Sequence, residues 1–217
     1  IVTFSNDTVI FGQRTIRISN GIDFSSIPLR QQIHTMENEL HLIGVAEIHF
    51  WHGFDRIING LKEYYTQNPT YKVYFHIVGN LSGERERQEI EMPIHTYGLS
   101  PYVILHGAKH GKELDVLFEK ADFAVGSLAR HRSGIQNIKT LKNREYAARG
   151  FGFIYSETDD DFEKMPYILK APADETPIEI SKVIAFCKKQ TTPPQEIRDS
   201  IRNLSWKEQM KKVYDSI

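Results

Sequence analysis

Cysteine and long apolar runs are scarce in this 217-residue sequence. The single cysteine, Cys187, excludes an internal disulfide and is typical of proteins from a reducing cytoplasm. Because Cys187 lies in an apolar helical pattern, we expect a buried thiol rather than a nucleophile. No run of residues approaches the roughly 20 apolar residues that cross a bilayer, so we expect a soluble protein.

The sequence also lacks a dominant charge and a dinucleotide fingerprint. Twenty-seven Lys and Arg against 28 Asp and Glu give a net charge of −1, which disfavours general affinity for nucleic acid in the absence of a local basic patch. No G-x-G-x-x-G motif is present, which disfavours a nicotinamide cofactor. With 40% apolar and 25% charged residues, the chain can bury the core of one domain, with or without a tail. It begins at Ile1 rather than Met, so we expect a piece of a longer protein.

Apolar runs alternate with helical patterns along most of the chain. Phe54, Ile57, Ile58 and Leu61 have the i, i+3, i+4, i+7 spacing of a helix. The strands are predicted at residues 40–48, 71–78, 102–105, 121–125, 151–154 and 167–170. This alternation predicts a Rossmann-like α/β fold, a parallel sheet with helices on both faces.

The ends of the chain carry weaker patterns. Short strands are predicted at residues 2–5, 9–11 and 15–18, followed by a turn at Asn20-Gly21. The tail, residues 195–217, reads as one or two helices that Trp206 anchors by its large apolar area.

Two segments allow alternative interpretations. Pro93 lies inside a charged helical pattern over residues 83–99 and predicts a break or kink there. Three adjacent carboxylates, at residues 159–161, suggest either a divalent metal site or a solvated loop. We favour the loop, because the spaced glycine and terminal glutamate of a calcium loop are absent.

The stretch over residues 121–154 is unusually basic around the start of a predicted helix near Thr140. Six Lys or Arg between residues 130 and 149 face one acid, Glu145. Such a cluster favours an anionic ligand, with Lys139 or Lys142 and the helix N–H groups on a phosphate. Glu145 suits the hydroxyls of a ribose diol. The alternative is a solvated helix face held by ordinary ion pairs.

Further candidates follow the predicted strands. His49 and His52 lie in the loop after the first long strand, where a histidine either contacts a phosphate or only packs. Gly79-Asn80 and Gly107 follow the next two strands and allow close approach of a ligand to the backbone. These residues belong to the edge of the sheet where open α/β domains bind ligands.

Six motifs in order resemble the donor-binding half of GT-B glycosyltransferases, retaining enzymes of the family 4 or group 1 type. They are ISNGID, HGFDRIINGL, YFHIVGN, VILHG, ADFAVGSLARHR and LKNREYAARGFGFI. The resemblance implies that Glu145 holds the donor ribose and that Lys142 lies at the diphosphate. It places Thr140 and Leu141 at the donor as the helix start.

The sequence departs from this pattern at two places. Many members carry a second glutamate near the sugar ring, where this chain has Asn137. Many also carry an Arg and a Lys-Gly pair where this chain has Ala46 and His52-Gly53. Either other cations serve, with Arg132 as the candidate catalytic partner of Lys142, or the donor differs.

The resemblance sets the functional expectations. Residues 1–20 would be a remnant of an acceptor domain, residues 21–192 the donor domain, and residues 193–217 a helical tail. The donor would be a UDP- or GDP-sugar, with no other cofactor and no metal. The acceptor would be a glycan or lipid-linked sugar in bacterial polysaccharide or lipopolysaccharide biosynthesis, in the cytoplasm or in peripheral contact with the inner membrane.

Two alternatives stay open, and one consequence follows. A nucleotide-sugar epimerase of the same fold would use the same donor site, and a non-catalytic nucleotide-binding module would need no acceptor. Glycosyl transfer requires an acceptor held against the donor. We therefore expect this chain alone to bind nucleotide without turnover.

Overall fold

A six-stranded parallel sheet forms the centre of the protein in a computed structural model that describes residues 1–31 and 37–216. Within these residues the strand order is β10-β9-β8-β5-β6-β7, and neighbouring strands pair in parallel. The strands are β5 (Glu39–Val45), β6 (Lys72–Val78), β7 (Val103–Leu105), β8 (Phe123–Val125), β9 (Phe153–Tyr155) and β10 (Ile168–Lys170). The parallel sheet predicted from the apolar runs is confirmed.

Helices cover both faces of this sheet. The helices are α1 (Phe54–Tyr65), α2 (Glu84–Glu86), α3 (Met92–Thr96), α4 (Gly111–Glu119), α5 (Leu141–Ala148), α6 (Ile180–Lys189), α7 (Pro194–Ser200) and α8 (Trp206–Tyr214). On one face α1 and α6 pack against Leu42 and Phe75. On the other, α4, α5 and α7 pack against Ile43 and Phe153. Because both faces are buried, the strands read as nearly continuous apolar runs.

The first 20 residues form two small strand pairs beside the main sheet. β1 (Val2–Thr3) pairs in parallel with β4 (Ile16–Arg17), and β2 (Val9–Ile10) pairs antiparallel with β3 (Gln13–Arg14). The predicted strands are therefore present but shorter. The turn predicted at Asn20-Gly21 is wrong, because this segment runs on without one.

The linker after β4 contacts the C-terminal helix. The backbone N–H of Ser19 donates to Gln209 Oε1 at 2.7 Å, and that of Ile22 donates to the Leu204 carbonyl at 2.9 Å. A Cβ on Gly21 would lie 2.3 Å from the Trp206 ring, so the indole covers this glycine. The helical tail and the contact of Trp206 agree with the sequence prediction; Ile217, its predicted end, lies outside the described residues.

Pro93 does not break its helix. α2 continues through a π-helical turn, Arg87–Glu91, directly into α3, with Pro93 in the first turn of α3. A π turn adds a residue to the helical turn, which changes the register of the backbone hydrogen bonds ahead of the proline. The predicted split at Pro93 is therefore wrong.

The acidic loop after β9 is not a solvated loop. Asp159 is completely buried, and its carboxylate accepts a hydrogen bond from Arg144 Nη1 at 2.8 Å. Asp161 also accepts from Arg144 and, at 3.1 Å, from Lys139 Nζ. Asp160 alone is half-exposed, where it pairs with Arg17. The solvated-loop prediction fails because the acids neutralise buried cations.

Three histidines form a row across one face of the sheet. His76 on β6 lies between His41 on β5 and His106 after β7, with 2.9 Å between the facing ring nitrogens on each side. Burial lowers the pKa of His76 to about 4, and the charges of His41, His106 and Lys120 lower it further. His76, the middle member of the row, is therefore uncharged at neutral pH.

The described helices give no candidate for crossing a bilayer, because none is both long and apolar enough.

Candidate functional site

The loops that follow β5, β6, β8 and β9 meet at the carboxyl edge of the sheet. Leu128 N–H donates to the His52 carbonyl at 2.9 Å, and Ser156 N–H donates to the Ser127 carbonyl at 3.0 Å. Ile48 N–H donates to the Asn80 carbonyl at 2.8 Å. Ligands of open α/β sheets bind at this edge, outside the strand ends.

Gly79, Asn80 and Gly107 lie together at this edge, as predicted. Gly79 N–H donates to the Gly107 carbonyl at 2.8 Å, and Asn80 Oδ1 accepts from Ala108 N–H at 3.3 Å. A Cβ on Gly79 would lie 1.6 Å from the Ala46 carbonyl oxygen. Backbone packing therefore accounts for the glycine, and a donor contact by these residues stays a prediction.

Helix α5 begins at the edge through its cap. The Thr140 hydroxyl accepts from the Asn143 N–H at 3.3 Å, which satisfies one free N–H of the first turn. Leu141 is the exposed first residue of the helix, and Lys142 follows it. The predicted helix start near Thr140 is confirmed, and its contact with a donor stays a prediction.

A cluster of charged side chains without hydrogen-bond partners lies beneath this helix start. Lys142 Nζ, Arg130 Nε and both carboxylate oxygens of Glu157 are buried and have no hydrogen-bond partner among the residues that the structure describes. Lys142 Nζ lies 5.8 Å from the centroid of the Phe54 ring. Because unpaired buried polar groups are costly, native proteins retain few of them, and those few call for a functional explanation.

Burial shifts the pKa values of the lysine and the glutamate in this cluster in opposite directions. It lowers the pKa of Lys142, and the positive charge of Arg130 adds to that effect. It raises the pKa of Glu157 despite the nearby charges of Lys142, Arg130 and Lys170. Perturbed values of this kind concentrate at functional sites.

His52 presents an uncharged donor to the same cluster. Its Nδ1 accepts the His49 N–H at 2.9 Å, so the neutral ring carries its proton on Nε2. Burial lowers the pKa of His52 to about 2, and Lys142 and Arg130 add to the shift. The neutral His52 ring therefore has an Nε2–H donor but carries no positive charge, and its contact with a ligand stays a prediction.

Arg132, the predicted catalytic arginine, is engaged by protein carboxylates. Its guanidinium donates to both oxygens of Asp55, at 2.9 and 2.7 Å, and also to Glu175. The hydrogen bonds from Arg132 lower the pKa of Glu175 to about 2. Arg132 thus ties the loop after β8 to α1 and to the segment before α6. Its catalytic role stays a prediction. Arg130, by contrast, has a buried Nε without a hydrogen-bond partner among the described residues.

Glu145, the predicted ribose ligand, lies on the α4 side of helix α5. It accepts from Arg149 Nε at 2.9 Å, and Arg149 also donates to Asp115 at 2.7 Å. The Glu145 side chain is 34% exposed, so its second oxygen can reach solvent or a ligand. The ribose assignment stays a prediction.

Most of the basic excess read from the sequence is neutralised by distant acids. Lys139, Arg132, Arg144 and Arg149 each pair with a carboxylate from another part of the fold or from the same helix. Arg130 and Lys142 have no such pair among the described residues. Four of the six cations therefore form ion pairs, as the alternative expects, but their side chains are largely buried rather than solvated.

Sequence reasoning missed two members of the cluster. Arg130 is one of the six cations of the basic stretch but is not a predicted site residue, and Glu157 lies just before the acidic stretch at residues 159–161. The available signal is position, because both lie in the loops that follow apolar strands at the carboxyl edge of the sheet. The structure shows no group of three or more metal-binding side chains in the part of the chain that it describes.

The sheet order and the edge cluster define a Rossmann-like domain of the GT-B type, and solved glycosyltransferases share the fold. A glycosyltransferase from Rickettsia africae has a TM-score of 0.71 at 13% identity, over 95% of this chain and 57% of that one. Sucrose-phosphate synthase from Thermosynechococcus elongatus has a TM-score of 0.68 at 17% identity, and the match covers 94% of this chain and 52% of that protein. Anabaena Alr3699/HepE in complex with UDP-glucose has a TM-score of 0.67 at 16% identity, and the match covers 94% of this chain and 58% of that protein.

These likenesses confirm the predicted fold. The chain spans slightly more than half the length of each of these three proteins. No protein-family profile and no curated protein sequence matches it.

Proposed function

We propose that this chain is the donor-binding domain of a glycosyltransferase that uses a nucleotide sugar. The observation that carries the proposal is a pair of half-buried cations at the carboxyl edge of the sheet, Arg130 and Lys142, whose buried Nε and Nζ atoms have no hydrogen-bond partner among the described residues. Their positive charge suits a diphosphate. The same fold holds UDP-glucose in Anabaena HepE and UDP with GlcNAc in the pneumococcal transferase GtfA, which supports a nucleotide-sugar ligand.

The chemistry follows from the charge that develops on the departing diphosphate. Fixed cations in a water-poor site stabilise such charge strongly, because they need no reorganisation during the reaction. A diphosphate beside Lys142 raises the pKa that burial lowers, so the bound state favours the ammonium form. His52 adds a neutral hydrogen bond from Nε2.

The finer assignments form part of the same proposal. Glu145 would accept the ribose hydroxyls, and the backbone N–H groups at Leu141 and Lys142 would contact the phosphates. Transfer would retain the configuration of the sugar, and the acceptor would be a bacterial glycan or lipid-linked precursor held by a second domain. This chain alone would bind the donor without turnover, because the acceptor is not held against it.

Thermal unfolding in the presence of nucleoside diphosphates tests the proposal. A ligand that binds only the folded state stabilises it by about 2.7 kcal/mol at a concentration of 100 times its dissociation constant, and this raises the melting temperature. We expect UDP or GDP to do so. Lys142→Met should abolish most of the shift, whereas the matched control Lys182→Met, on the exposed face of α6, should retain it. A wild-type protein that none of the nucleoside diphosphates stabilises would contradict the proposal.

A further inference from the structure

Glu157 is the acid of the edge cluster, and the protein leaves it unsatisfied. Only 2% of the residue is exposed, and neither carboxylate oxygen accepts a hydrogen bond among the described residues. Its backbone is fixed, since the Glu157 carbonyl accepts from Lys170 Nζ and the next residue, Thr158, pairs with Asn137. The side chain is therefore held in the cluster rather than placed there by a mobile loop.

A carboxylate at this place opposes the binding of phosphate. Lys142 and Arg130 attract a diphosphate, and a negative charge within their electrostatic reach weakens that attraction. An ionised carboxylate that is buried without hydrogen bonds also costs folding free energy. Both costs are offset if the bound ligand supplies hydroxyl donors, because a carboxylate offers about four acceptor positions.

Neighbouring glutamates do not share this condition. Glu163 in the same loop accepts from Tyr155 Oη at 2.8 Å, from the Asp159 N–H at 3.0 Å and from Lys170 Nζ at 2.9 Å. Glu145 accepts from Arg149 at 2.9 Å. Glu157 alone among these three has no hydrogen bond from the described residues, so its acceptor capacity is left for another molecule.

We propose that Glu157 binds a pair of hydroxyl groups on the nucleotide-sugar donor, which makes it a recognition residue for the carbohydrate part of that ligand. This inference rests on the proposed donor site. The hydroxyls belong to the transferred sugar if Glu145 holds the ribose as proposed above, and to the ribose if Glu145 does not; both present the same vicinal donors. Arg130 and Lys142 in the same cluster are half-buried, so part of each side chain is accessible to a ligand from solvent.

Calorimetric titration of three ligands into wild type and Glu157→Gln tests this role. The ligands are UDP-glucose, UDP and 2′,3′-dideoxyuridine diphosphate. The substitution keeps the shape of the side chain but removes the charge, and hydrogen bonds to charged groups are the stronger kind. We expect Glu157→Gln to weaken the binding of UDP-glucose about tenfold or more. Where the wild type prefers guanosine nucleotides, GDP-mannose, GDP and the dideoxy analogue of GDP replace the set.

The other two ligands locate the hydroxyls. If Glu157 binds the transferred sugar, the affinity for UDP stays the same or increases, because a negative charge beside the phosphates is gone. If it binds the ribose, UDP weakens together with UDP-glucose, while the dideoxy analogue binds both proteins equally. Either pattern supports the proposal.

Two results would overturn it. Equal weakening of all three ligands would mean that Glu157 acts only as a counter-ion of Lys142, and unchanged affinity for all three would mean that it touches none of them. Asp160→Asn, which removes a half-exposed carboxylate from the same loop, is the matched control and should leave all affinities unchanged. A wild-type protein that binds no nucleotide would instead refute the donor site itself.

A second variant guards against misfolding. Should Glu157→Gln fail to fold, Glu157→Asp keeps the charge but withdraws the carboxylate by one methylene, and we expect the same ligand pattern with a smaller loss. An equal affinity of Glu157→Asp and wild type for UDP-glucose would then count against the proposal.

Discussion

Replacement of Asp159 by Asn should strongly destabilise the fold, although it removes only one charge. Asp159 and Arg144 are both completely buried, with two hydrogen bonds of 2.8 and 3.3 Å between them. Arg144 also donates to the carbonyls of Thr140, at 2.8 Å, and Asn20, at 3.0 Å. The ion pair therefore joins the loop after β9, the cap of α5 and the linker after β4.

The size of the expected loss in stability follows from leaving the buried Arg144 guanidinium with fewer carboxylates to neutralise it. Breaking a buried ion pair by removing one partner typically costs 3–5 kcal/mol, roughly. Asp161 still faces Arg144, which places the expected loss near the lower end, at about 3 kcal/mol. For a chain of this size, that corresponds to a fall in the melting temperature of about 6–12 °C.

Equilibrium unfolding in urea measures the loss directly, and the sequence provides a matched control. Asp160→Asn, one residue away, affects a half-exposed pair with Arg17 and should change the stability by less than about 0.5 kcal/mol. Similar midpoints for the two variants, or a loss below about 1 kcal/mol for Asp159→Asn, would refute the buried-network account of this loop.

Three further predictions concern other parts of the fold. Glu145→Ala should weaken UDP binding by about 1.5–3 kcal/mol if Glu145 holds the ribose; a calorimetric loss below about 1 kcal/mol speaks against that role. Gly79→Ala should lower the free energy of unfolding by about 3 kcal/mol or more, because its Cβ would lie 1.6 Å from the Ala46 carbonyl oxygen. The control Gly107→Ala meets no clash and should lose only about 1 kcal/mol through backbone strain. Equal urea midpoints for the two variants would contradict this. His76 has a folded-state pKa of about 4, so between pH 4 and 6.5 it binds fewer protons in the folded protein than in the unfolded chain. Its contribution to the free energy of unfolding is therefore fully present above pH 6.5 and is lost as the pH falls toward 4. The variant His76→Asn should show a flatter dependence of stability on pH, and parallel pH profiles for the variant and the wild type would contradict this.

The sequence predicts the scaffold because its signals are local. Helix α1 follows from the spacing of Phe54, Ile57, Ile58 and Leu61. The start of α5 near Thr140 is equally local, because the Thr140 hydroxyl accepts a hydrogen bond from the backbone N–H three residues later. The strands of the sheet read as short apolar runs because both faces are covered.

The site is less predictable because its charges are balanced by residues that are remote in the chain. Arg132 finds Asp55 at a separation of 77 residues and Glu175 at 43. A count of charges within one stretch misses such partners, so it does not reveal that Arg132 is already neutralised, whereas Arg130 has no ion pair among the described residues. Only the folded arrangement shows which cations and which acid are left for a ligand.

The contact of Trp206 with Gly21 restricts how the first segment of the chain can swing. Rotation of the small strands β1–β4 about the linker must break the Ser19–Gln209 hydrogen bond and lift the indole from the glycine. The linker is therefore held by α8 and also, through the hydrogen bond from Arg144 to the Asn20 carbonyl, by α5. A methyl group at position 21 would push the indole away and so loosen the contact between the linker and α8.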